Sequence, residues 1–223
     1  MRERIRARRP VGGRPRAPRG LQDVTHDLCQ EANCRAIGDD RVAMGTTLTT
    51  ERLTLRPLTP ADVDVLVAID ADVDVMRHIN GGRPSSRAEV ARVVAASVGH
   101  RWLGTPRGGG PAVGWFSLRP APGDDGDREL GYRLRRDAWG QGLATEGARA
   151  LVDHAFTALG AHRVWAQTMT VNARSRRVME RCGLRFVRTF HTEWPEVIAG
   201  SEHGDVEYAL TRAAWEAGGG AAG

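Results

Sequence analysis

Hydrophobic and polar residues change their spacing between positions 129 and 160, and this change predicts a strand followed by a helix. Over residues 129–135 apolar and polar positions alternate, which is typical of a half-buried strand. From Ala144 onward the apolar residues recur every three or four positions, and Gly160 stands where a helix commonly ends. Gly140 and Gly142 lie in the turn between the two elements. The pattern therefore predicts a strand that leads through a glycine turn into a helix.

The same order of elements continues towards the C-terminus. Residues 164–169 have the pattern of a strand, and Asn172 precedes a helical pattern that Gly183 closes. Residues 184–187 form another short strand. Strands that alternate with helices in this way indicate an α/β fold.

Upstream of residue 129 the pattern predicts two more strands and three helices. The strands cover residues 53–56 and 112–118. The first helix starts at Thr59, the second covers residues 72–78, and the third starts at Ser86 with a capping-box pattern. The stretches GTPRGGGP and PAPGDDGD are rich in turn residues and are expected to form loops.

A glycine turn that opens a helix is a suitable site for an anion. Its backbone N–H groups and the positive end of the helix dipole point to one place, and the missing Cβ atoms let the anion approach closely. The chain contains no lysine, which excludes a Walker loop, and Thr145 stands where a dinucleotide fingerprint needs a glycine or alanine. Taken alone, the turn also fits an ordinary strand-to-helix connection.

Four segments together carry a resemblance to a known family. The spacing Asp137-x-x-Gly140-x-Gly142-x-Ala144 resembles the acetyl-CoA loop of the GCN5-related N-acetyltransferases (GNAT). The segment VNARSRRVMERCGLRFV resembles the family segment that follows the cofactor helix, and its Asn-x-x-Ser start is typical of the ribosomal-protein alanine acetyltransferase branch. TERLTLRPLTPADVDVL and VMRHINGGRPSS resemble that branch's first strand and helix and its substrate-side helix and loop. The resemblance covers about residues 50–208.

The resemblance implies a GNAT fold, an α/β architecture with a mixed, mostly antiparallel central sheet. We expect about six to seven strands with helices on both faces, and two strands that splay apart at the acetyl-CoA site. The strand that the family has near residue 102 is expected to be shortened. The acetyltransferase domain would cover residues 44–217, between a basic arm at 1–43 that we expect to be disordered and a flexible tail at 218–223.

The resemblance also implies the residues that hold acetyl-CoA. Freed backbone at Tyr132, Arg133 and Leu134 would pair with the pantetheine arm and polarise the thioester carbonyl. Asn172 would hold a pantetheine amide, although asparagine is also a good helix cap. Asp137 departs from the glutamine or arginine common in the family, and Arg135 and Arg136 are expected to compensate. The pyrophosphate would lie on the loop formed by Gln141, Gly142, Leu143, Ala144 and Thr145.

Acetyl transfer to an amine needs a proton acceptor for the amine and a proton donor for the departing thiolate. Glu129 resembles the glutamate that enters the family's active cleft and is the first candidate for the base, with an exposed strand glutamate as the alternative. Ser175 resembles the hydroxyl that protonates the thiolate, and an ordinary first-turn serine is the alternative. Tyr132 is a conceivable acid as well as a core aromatic. His191, in the segment that resembles the last hairpin, is a third catalytic candidate.

The acceptor is expected to meet two walls of the site. His78 and Asn80 would lie on one wall and Glu193 on the other. Glu193, Glu202, Asp205 and Glu207 make the last hairpin acidic, which would suit a cationic acceptor, although such charges commonly form a solvated face. No histidine and carboxylate spacing points to a metal site.

Charge and composition limit the classes of protein to which the chain can belong. The net charge is +5, but residues 1–43 hold ten arginines against six acids, so the remainder is nearly neutral. No apolar run approaches the ~20 residues of a membrane span. The sparse cysteines, Cys29, Cys34 and Cys182, favour a reducing cytoplasm. We expect a monomer or homodimer.

The function expected from these observations is transfer of acetyl from acetyl-CoA to a primary amine, either a protein N-terminus or a small molecule. Two alternatives come from other classes. A non-catalytic acyl-CoA-binding regulatory module would keep the glycine loop without needing Glu129 or Ser175. A nucleic-acid-binding protein would act through the basic arm, which the nearly neutral remainder of the chain disfavours.

Overall fold

A mixed sheet of eight strands organises the part of the chain that the computed structural model describes, residues 45–97, 99–121, 124–192 and 197–220. The arm at 1–43, Glu193 and the two upstream cysteines lie outside these residues. The strands are β1 (Leu48–Thr49), β2 (Leu53–Pro57), β3 (Arg101–Pro106), β4 (Gly114–Ala121), β5 (Asp124–Leu134), β6 (Arg163–Met169), β7 (Arg185–Phe190) and β8 (Asp205–Thr211). Their order is β1-β2-β3-β4-β5-β6-β8-β7.

Six helices accompany this sheet within the described residues. They are α1 (Val63–Asp70), α2 (Val73–Asn80), α3 (Arg87–Ala96), α4 (Leu143–Thr157), α5 (Ala173–Arg181) and α6 (Arg212–Ala217). Strand alternation separates two cores. Leu130 and Leu134 pack with α4, whereas Trp115 packs with α1 and α3. Helices therefore cover both faces of the sheet, as the resemblance implied.

Strands β5 and β6 form the only parallel pair in the described sheet, and they pair over a short stretch. Asp127, Arg128 and Glu129 face Arg163, Val164 and Trp165 in register. Beyond Glu129 both strands continue without pairing to each other. The expected splay is thus confirmed, and Glu129 is the last paired residue before it.

Three parts of the fold differ from the sequence prediction. Strand β3 is not shortened: it has six residues, of which three, residues 102–104, pair with both β2 and β4 and the others with one of them. The stretch PAPGDDGD is mostly strand rather than loop, because β4 continues to Ala121 and β5 begins at Asp124. Pro120 is accommodated by a register shift next to it. The two-residue β1 brings the count to eight instead of six or seven.

Helix α4 packs very closely on the sheet. A Cβ atom placed on Gly147 would lie 2.5 Å from the ring of Phe116 in β4, so glycine permits this approach. The close packing fixes the start of α4 beside the end of β5. None of the described helices has both the length and the apolar character needed to cross a membrane.

Candidate active site

A cavity of about 1730 Å³ occupies the gap between β5 and β6 and extends over both faces of the sheet. Most of the residues predicted from the sequence line it. These are His78, Asn80, Glu129, Tyr132, Arg133, Leu134, Gly142, Leu143, Ala144, Thr145, Asn172 and Ser175. Gln141 and His191 do not line it.

The backbone of β5 presents free hydrogen-bonding groups to the gap. The N–H of Arg135 donates to the Val113 carbonyl oxygen at 2.9 Å, on the β4 side. Because N–H groups along a strand alternate in direction, those of Leu134 and Tyr132 point away from β4, and both residues lie beyond the last residue pair with β6. With β6 splayed away, these groups face the cavity and can bind an extended amide chain.

Gly142 forms the N-cap of α4 in the left-handed region, with a φ of 80°. The N–H groups of the next three residues, Leu143, Ala144 and Thr145, begin the helix and have no partner within it. The local geometry is that of an anion site at a helix N-terminus. The predicted glycine turn therefore has the backbone conformation that a pyrophosphate loop needs.

A brace holds this turn in place, and sequence analysis missed it. Arg52 donates from Nε to Oε2 of Glu146 at 2.6 Å and from Nη1 to the carbonyl oxygen of Gln141 at 2.9 Å. Thr50 also donates its hydroxyl to Oε1 of Glu146 at 2.6 Å. The Gln141 side chain turns back and donates to the carbonyl oxygen of Asp137 at 2.7 Å. Gln141 thus shapes the turn from outside the cavity.

The charged residues that precede the turn are all in ion pairs. Of the two arginines expected to compensate for Asp137, Arg135 pairs with it, whereas Arg136 pairs with Asp74 of α2 at 2.8 Å. On the other side of the cavity, Arg174 lies 5.0 Å from the centre of the Trp139 ring. Arg174 lines the cavity close to the start of α5 and adds positive charge on the cofactor side.

Tyr132 and Ser175 form a hydroxyl pair beneath the gap. The Tyr132 hydroxyl lies 3.0 Å from the Ser175 Oγ and donates to the Ser175 carbonyl oxygen at 3.0 Å. Burial raises the pKa of Tyr132, although the hydrogen bond with Ser175 acts in the opposite direction. The phenol therefore stays protonated at neutral pH and can act as a donor.

Asn172 uses both ends of its side-chain amide within the protein. Its Oδ1 accepts from the backbone N–H of Ser175 at 3.2 Å, and its Nδ2 donates to the Thr168 hydroxyl at 3.0 Å. The predicted helix cap is confirmed. The same bonds fix the first turn of α5, and with it the position of the Ser175 hydroxyl.

On the opposite face of β5, ion pairs line the cavity. Glu129 accepts from Nη2 of Arg119 at 2.8 Å, and Asp70 accepts from Nη1 of Arg133 at 2.5 Å. The Arg133 side chain points away from the gap, so only its backbone could contribute to cofactor binding as predicted. Glu129 stands at the edge of the splay.

Arg101 belongs to the same face and was not anticipated. Its guanidinium lies 4.3 Å from the centre of the Trp115 ring. Burial, followed by the charges of Arg119 and Arg133, lowers the pKa of Arg101 to about 9. The group therefore still carries its charge at pH 7.

The two predicted acceptor walls differ in how they are placed. His78 and Asn80 line the cavity, and each has a buried polar atom, His78 Nδ1 and Asn80 Oδ1, without a hydrogen-bond partner in the described part of the chain. Burial, and then the charge of Arg77, lowers the pKa of His78. His191 is exposed and reaches only the carbonyl oxygen of Glu202, at 3.4 Å. Its neighbour Thr192 lines the cavity instead.

The last hairpin does not present a row of free acids to the cavity. Glu207 pairs with Arg163 and, at 2.7 Å, with Arg188, so its charge is neutralised. Asp205 is only 1% exposed, lines the cavity, and has no ion-pair partner among the described residues. Burial raises its pKa, against opposing contributions from Thr192 and His191. No group of side chains suited to a metal ion occurs in the described ranges.

Comparison with known proteins agrees with this geometry. A family model described as an acetyltransferase (GNAT) domain matches residues 52–185. The FsC-acetyl coenzyme A-N(2)-transacetylase of Aspergillus fumigatus is 38% identical over 184 residues, which are 76% of this chain and 77% of that protein. The crystal structure of a GNAT-family acetyltransferase from Bacillus anthracis has a TM-score of 0.66 at 23% identity, covering 75% of this chain and 99% of that one.

A second solved structure has the same fold. Spermidine N-acetyltransferase from Vibrio cholerae, in complex with CoA and spermine, has a TM-score of 0.63 at 17% identity, over 74% of this chain and 98% of that one. The strands that splay beside a glycine turn, together with these matches, define the class. The chain belongs to the GNAT family of acetyltransferases. It is an acetyl-CoA-dependent N-acetyltransferase that acts on an amine, and acetyl-CoA is its acetyl donor.

Proposed function

We propose that this enzyme transfers acetyl directly from acetyl-CoA to a primary amine, which approaches from the Glu129 side of the sheet. One observation carries the proposal: β5 and β6 separate immediately after Glu129. The separation exposes the backbone of β5 between a carboxylate on one face and the Tyr132–Ser175 hydroxyl pair on the other. A proton acceptor and a proton donor thus lie on opposite sides of the backbone groups that would hold the thioester.

Glu129 is proposed as the proton acceptor. Its carboxylate lines the cavity and is held by Arg119, which fixes its position. It would take the proton from the incoming amine directly or through a water molecule. The lone pair of the resulting neutral amine then forms the new C–N bond at the thioester carbonyl carbon, and the negative charge passes to the carbonyl oxygen. The second proton on the nitrogen leaves to solvent as the tetrahedral intermediate collapses to the amide. A backbone N–H of β5 is the proposed donor to that oxygen.

Ser175 is proposed as the proton donor to the leaving sulfur. When the C–S bond breaks, the electron pair goes to sulfur, which takes a proton from the Ser175 hydroxyl. Tyr132, at 3.0 Å, can return a proton to Ser175, and solvent restores it afterwards. The raised pKa of Tyr132 favours the protonated form that this role needs.

The donor would lie along the predicted loop. The backbone N–H groups from Gly142 to Thr145 would hold the pyrophosphate, and the pantetheine arm would pair with β5. Asn172 would contribute mainly by fixing the start of α5, because both ends of its amide are already engaged. Gln141 and Arg52 would keep the turn in shape.

A small-molecule amine is proposed as the acceptor. The 38% identical relative is named for transfer to an N(2) position, which supports an amine nitrogen as the acceptor atom. A protein N-terminus, which the branch resemblance implied, is the competing acceptor. A panel that contains polyamines, amino acids and short peptides with free N-termini separates the two.

The test is release of free thiol from acetyl-CoA with this panel, together with acetyl-CoA affinity from calorimetry. We expect Glu129→Gln and Ser175→Ala to lower kcat strongly while the Kd for acetyl-CoA stays within about twofold of wild type. Glu202→Gln, on the exposed end of the hairpin, is the matched control. It should change neither kcat nor the Kd for acetyl-CoA. If both variants keep the wild-type rate on a good acceptor, the assigned roles are wrong.

A further inference from the structure

Arg101 is a buried cation with no ion-pair partner among the described residues. It is 9% exposed and lines the acceptor side of the cavity. Its Nε is buried without a hydrogen-bond partner in the part of the chain that is described. Buried charges are normally paired, because an isolated charge loses its hydration without compensation. An unpaired guanidinium at a cavity wall is therefore a site for an anion that comes from outside the protein.

The two neighbouring arginines, unlike Arg101, each have an ion-pair partner. Arg119 is neutralised by Glu129, and Arg133 is neutralised by Asp70. Arg101, Arg119 and Arg133 together with Glu129 and Asp70 make a cluster of three guanidinium groups and two carboxylates, so one positive charge remains over within the cluster. That excess belongs to Arg101.

The other unpaired buried charge on this face is too distant to compensate for it. Alternation and register place Asp205 on the same face as Glu129 and Arg101. However, β3 and β8 are separated by four strand spacings, roughly 19 Å at about 4.8 Å each. Arg101 and Asp205 therefore do not form a direct pair.

We propose that Arg101 binds a carboxylate group of the acceptor, so that the preferred substrates are amines that also carry a carboxylate. The inference rests on the proposed function. The acceptor class is then the amino acids and their derivatives rather than polycationic amines, which the excess positive charge repels.

The surroundings of Arg101 support a defined orientation for the bound group. The centre of the Trp115 ring lies 4.3 Å from the guanidinium of Arg101 and 5.1 Å from that of Arg133. Stacking fixes the plane of Arg101, and a planar guanidinium can donate two parallel hydrogen bonds to a carboxylate. Through Ser117, Arg101 is in register with Gly131 of β5, two strands from the splay. A carboxylate held there would orient the amine towards the gap.

The test compares matched pairs of amines with and without the carboxylate: ornithine with putrescine, lysine with cadaverine, and γ-aminobutyrate with propylamine. We expect wild type to have the higher kcat/KM for the acid of each pair. In Arg101→Gln this preference should fall by about tenfold or more through KM, and Arg101→Lys should restore part of it. Arg92→Gln, on the exposed side of α3, should retain the wild-type preference. Equal preferences in wild type and Arg101→Gln would overturn the inference.

A second measurement separates this inference from the proposed function and from a structural role of Arg101. In thermal unfolding, ornithine should raise the Tm of wild type more than putrescine does, and it should not raise that of Arg101→Gln. Because the unpaired charge destabilises the fold, Arg101→Gln without ligand should have a Tm at least equal to wild type. Absence of turnover with every amine would contradict the proposed function, while the Tm shifts would still test the carboxylate site. A larger shift with phosphoethanolamine than with any amino acid, or a lower Tm for the variant, would overturn the inference.

Discussion

Single residues along β5 alternate between two chemical environments. Glu129 and Arg133 project to the face covered by α1, where they form ion pairs with Arg119 and Asp70. Tyr132 projects to the opposite face, where its hydroxyl meets Ser175. Strand alternation alone thus puts a carboxylate and a protonated phenol on the two sides of one backbone segment.

The loop glycine at position 142 should be essential for acetyl-CoA binding. Gly142→Asp adds strain at a φ of 80° and puts a negative charge where the pyrophosphate would bind. We expect a loss of stability of roughly 1 kcal/mol and loss of acetyl-CoA binding in calorimetry. Gly160→Asp is the matched control, since Gly160 has a φ of 63° and open space around its Cβ position at the other end of α4. Gly160→Asp should lose similar stability but still bind acetyl-CoA. If Gly142→Asp also binds acetyl-CoA as wild type does, the assignment of this loop to the pyrophosphate is wrong.

Asp205 should make the fold less stable as pH rises. Its pKa is raised above the ordinary value of 3.8, so the folded state holds the proton more tightly than the unfolded state does. Its stabilising contribution is complete below pH 3.8 and is lost as pH rises through the raised pKa. Asp205→Asn should therefore have a higher Tm than wild type at pH 7, with the difference shrinking towards pH 4.

The pH dependence of Asp205→Asn needs an exposed acid as its control. Asp64 is 77% exposed on its side chain and pairs with Arg87 at the surface. Asp64→Asn should leave the Tm curve close to that of wild type from pH 4 to 8. A Tm for Asp205→Asn below wild type at pH 7 would show that the carboxylate is stabilised by something other than the contacts described above.

At the scale of elements, the start of α5 couples helix stability to the active site. The Asn172 side chain caps the helix at Ser175 and is itself held by Thr168 of β6. The strand that splays away from β5 thus positions the helix that carries the proposed acid. The geometry of the hydroxyl pair depends on this junction.

Two substitutions at Asn172 separate its structural and functional contributions. Asn172→Ala removes the cap and should cost roughly 1 kcal/mol of stability, measured by denaturant unfolding. Asn172→Asp keeps an N-cap acceptor and should retain most of that stability. If Asn172 acts by positioning Ser175, the aspartate variant should also keep most of kcat, because the cap is preserved. A large fall in kcat with normal stability would instead indicate direct contact with the cofactor.

At the scale of the whole molecule, the site is assembled by residues that are distant in sequence. The cavity is lined by residues from Leu66 to Asp205, which belong to helices α1 to α5, the sheet and the loops between them. All the lining residues that the structure describes lie between positions 66 and 205. We expect a chain that starts at Met44 to bind acetyl-CoA and to turn over its amine as the full chain does. Calorimetry and thiol release on both chains check this, and loss of turnover on truncation would give the basic arm a part in function.

Much of the local structure could be predicted from the sequence. The glycine turn before α4, the cap at Asn172 and the capping box at Ser86 all occur as expected. Each depends on a few neighbouring residues whose backbone preferences are strong, such as a positive φ at Gly142. The full length of strand β3 and the extended ends of β4 and β5 were not predicted. Their glycine and proline residues favour loops locally, and pairing with neighbouring strands outweighs that preference.

The strand and helix order around the glycine turn, the anion loop and, through resemblance, the acetyltransferase class could be read from the sequence, because they follow from local spacing. Which charges are neutralised depends on the tertiary structure. Arg119 and Glu129 become partners through the register of β4 and β5, whereas Arg101 and Asp205 are buried without ion-pair partners in the described residues. Local sequence pattern carries no information about such register. Long-range pairing, which sets burial and the effective dielectric around each group, therefore decides which side chains remain free to bind a substrate.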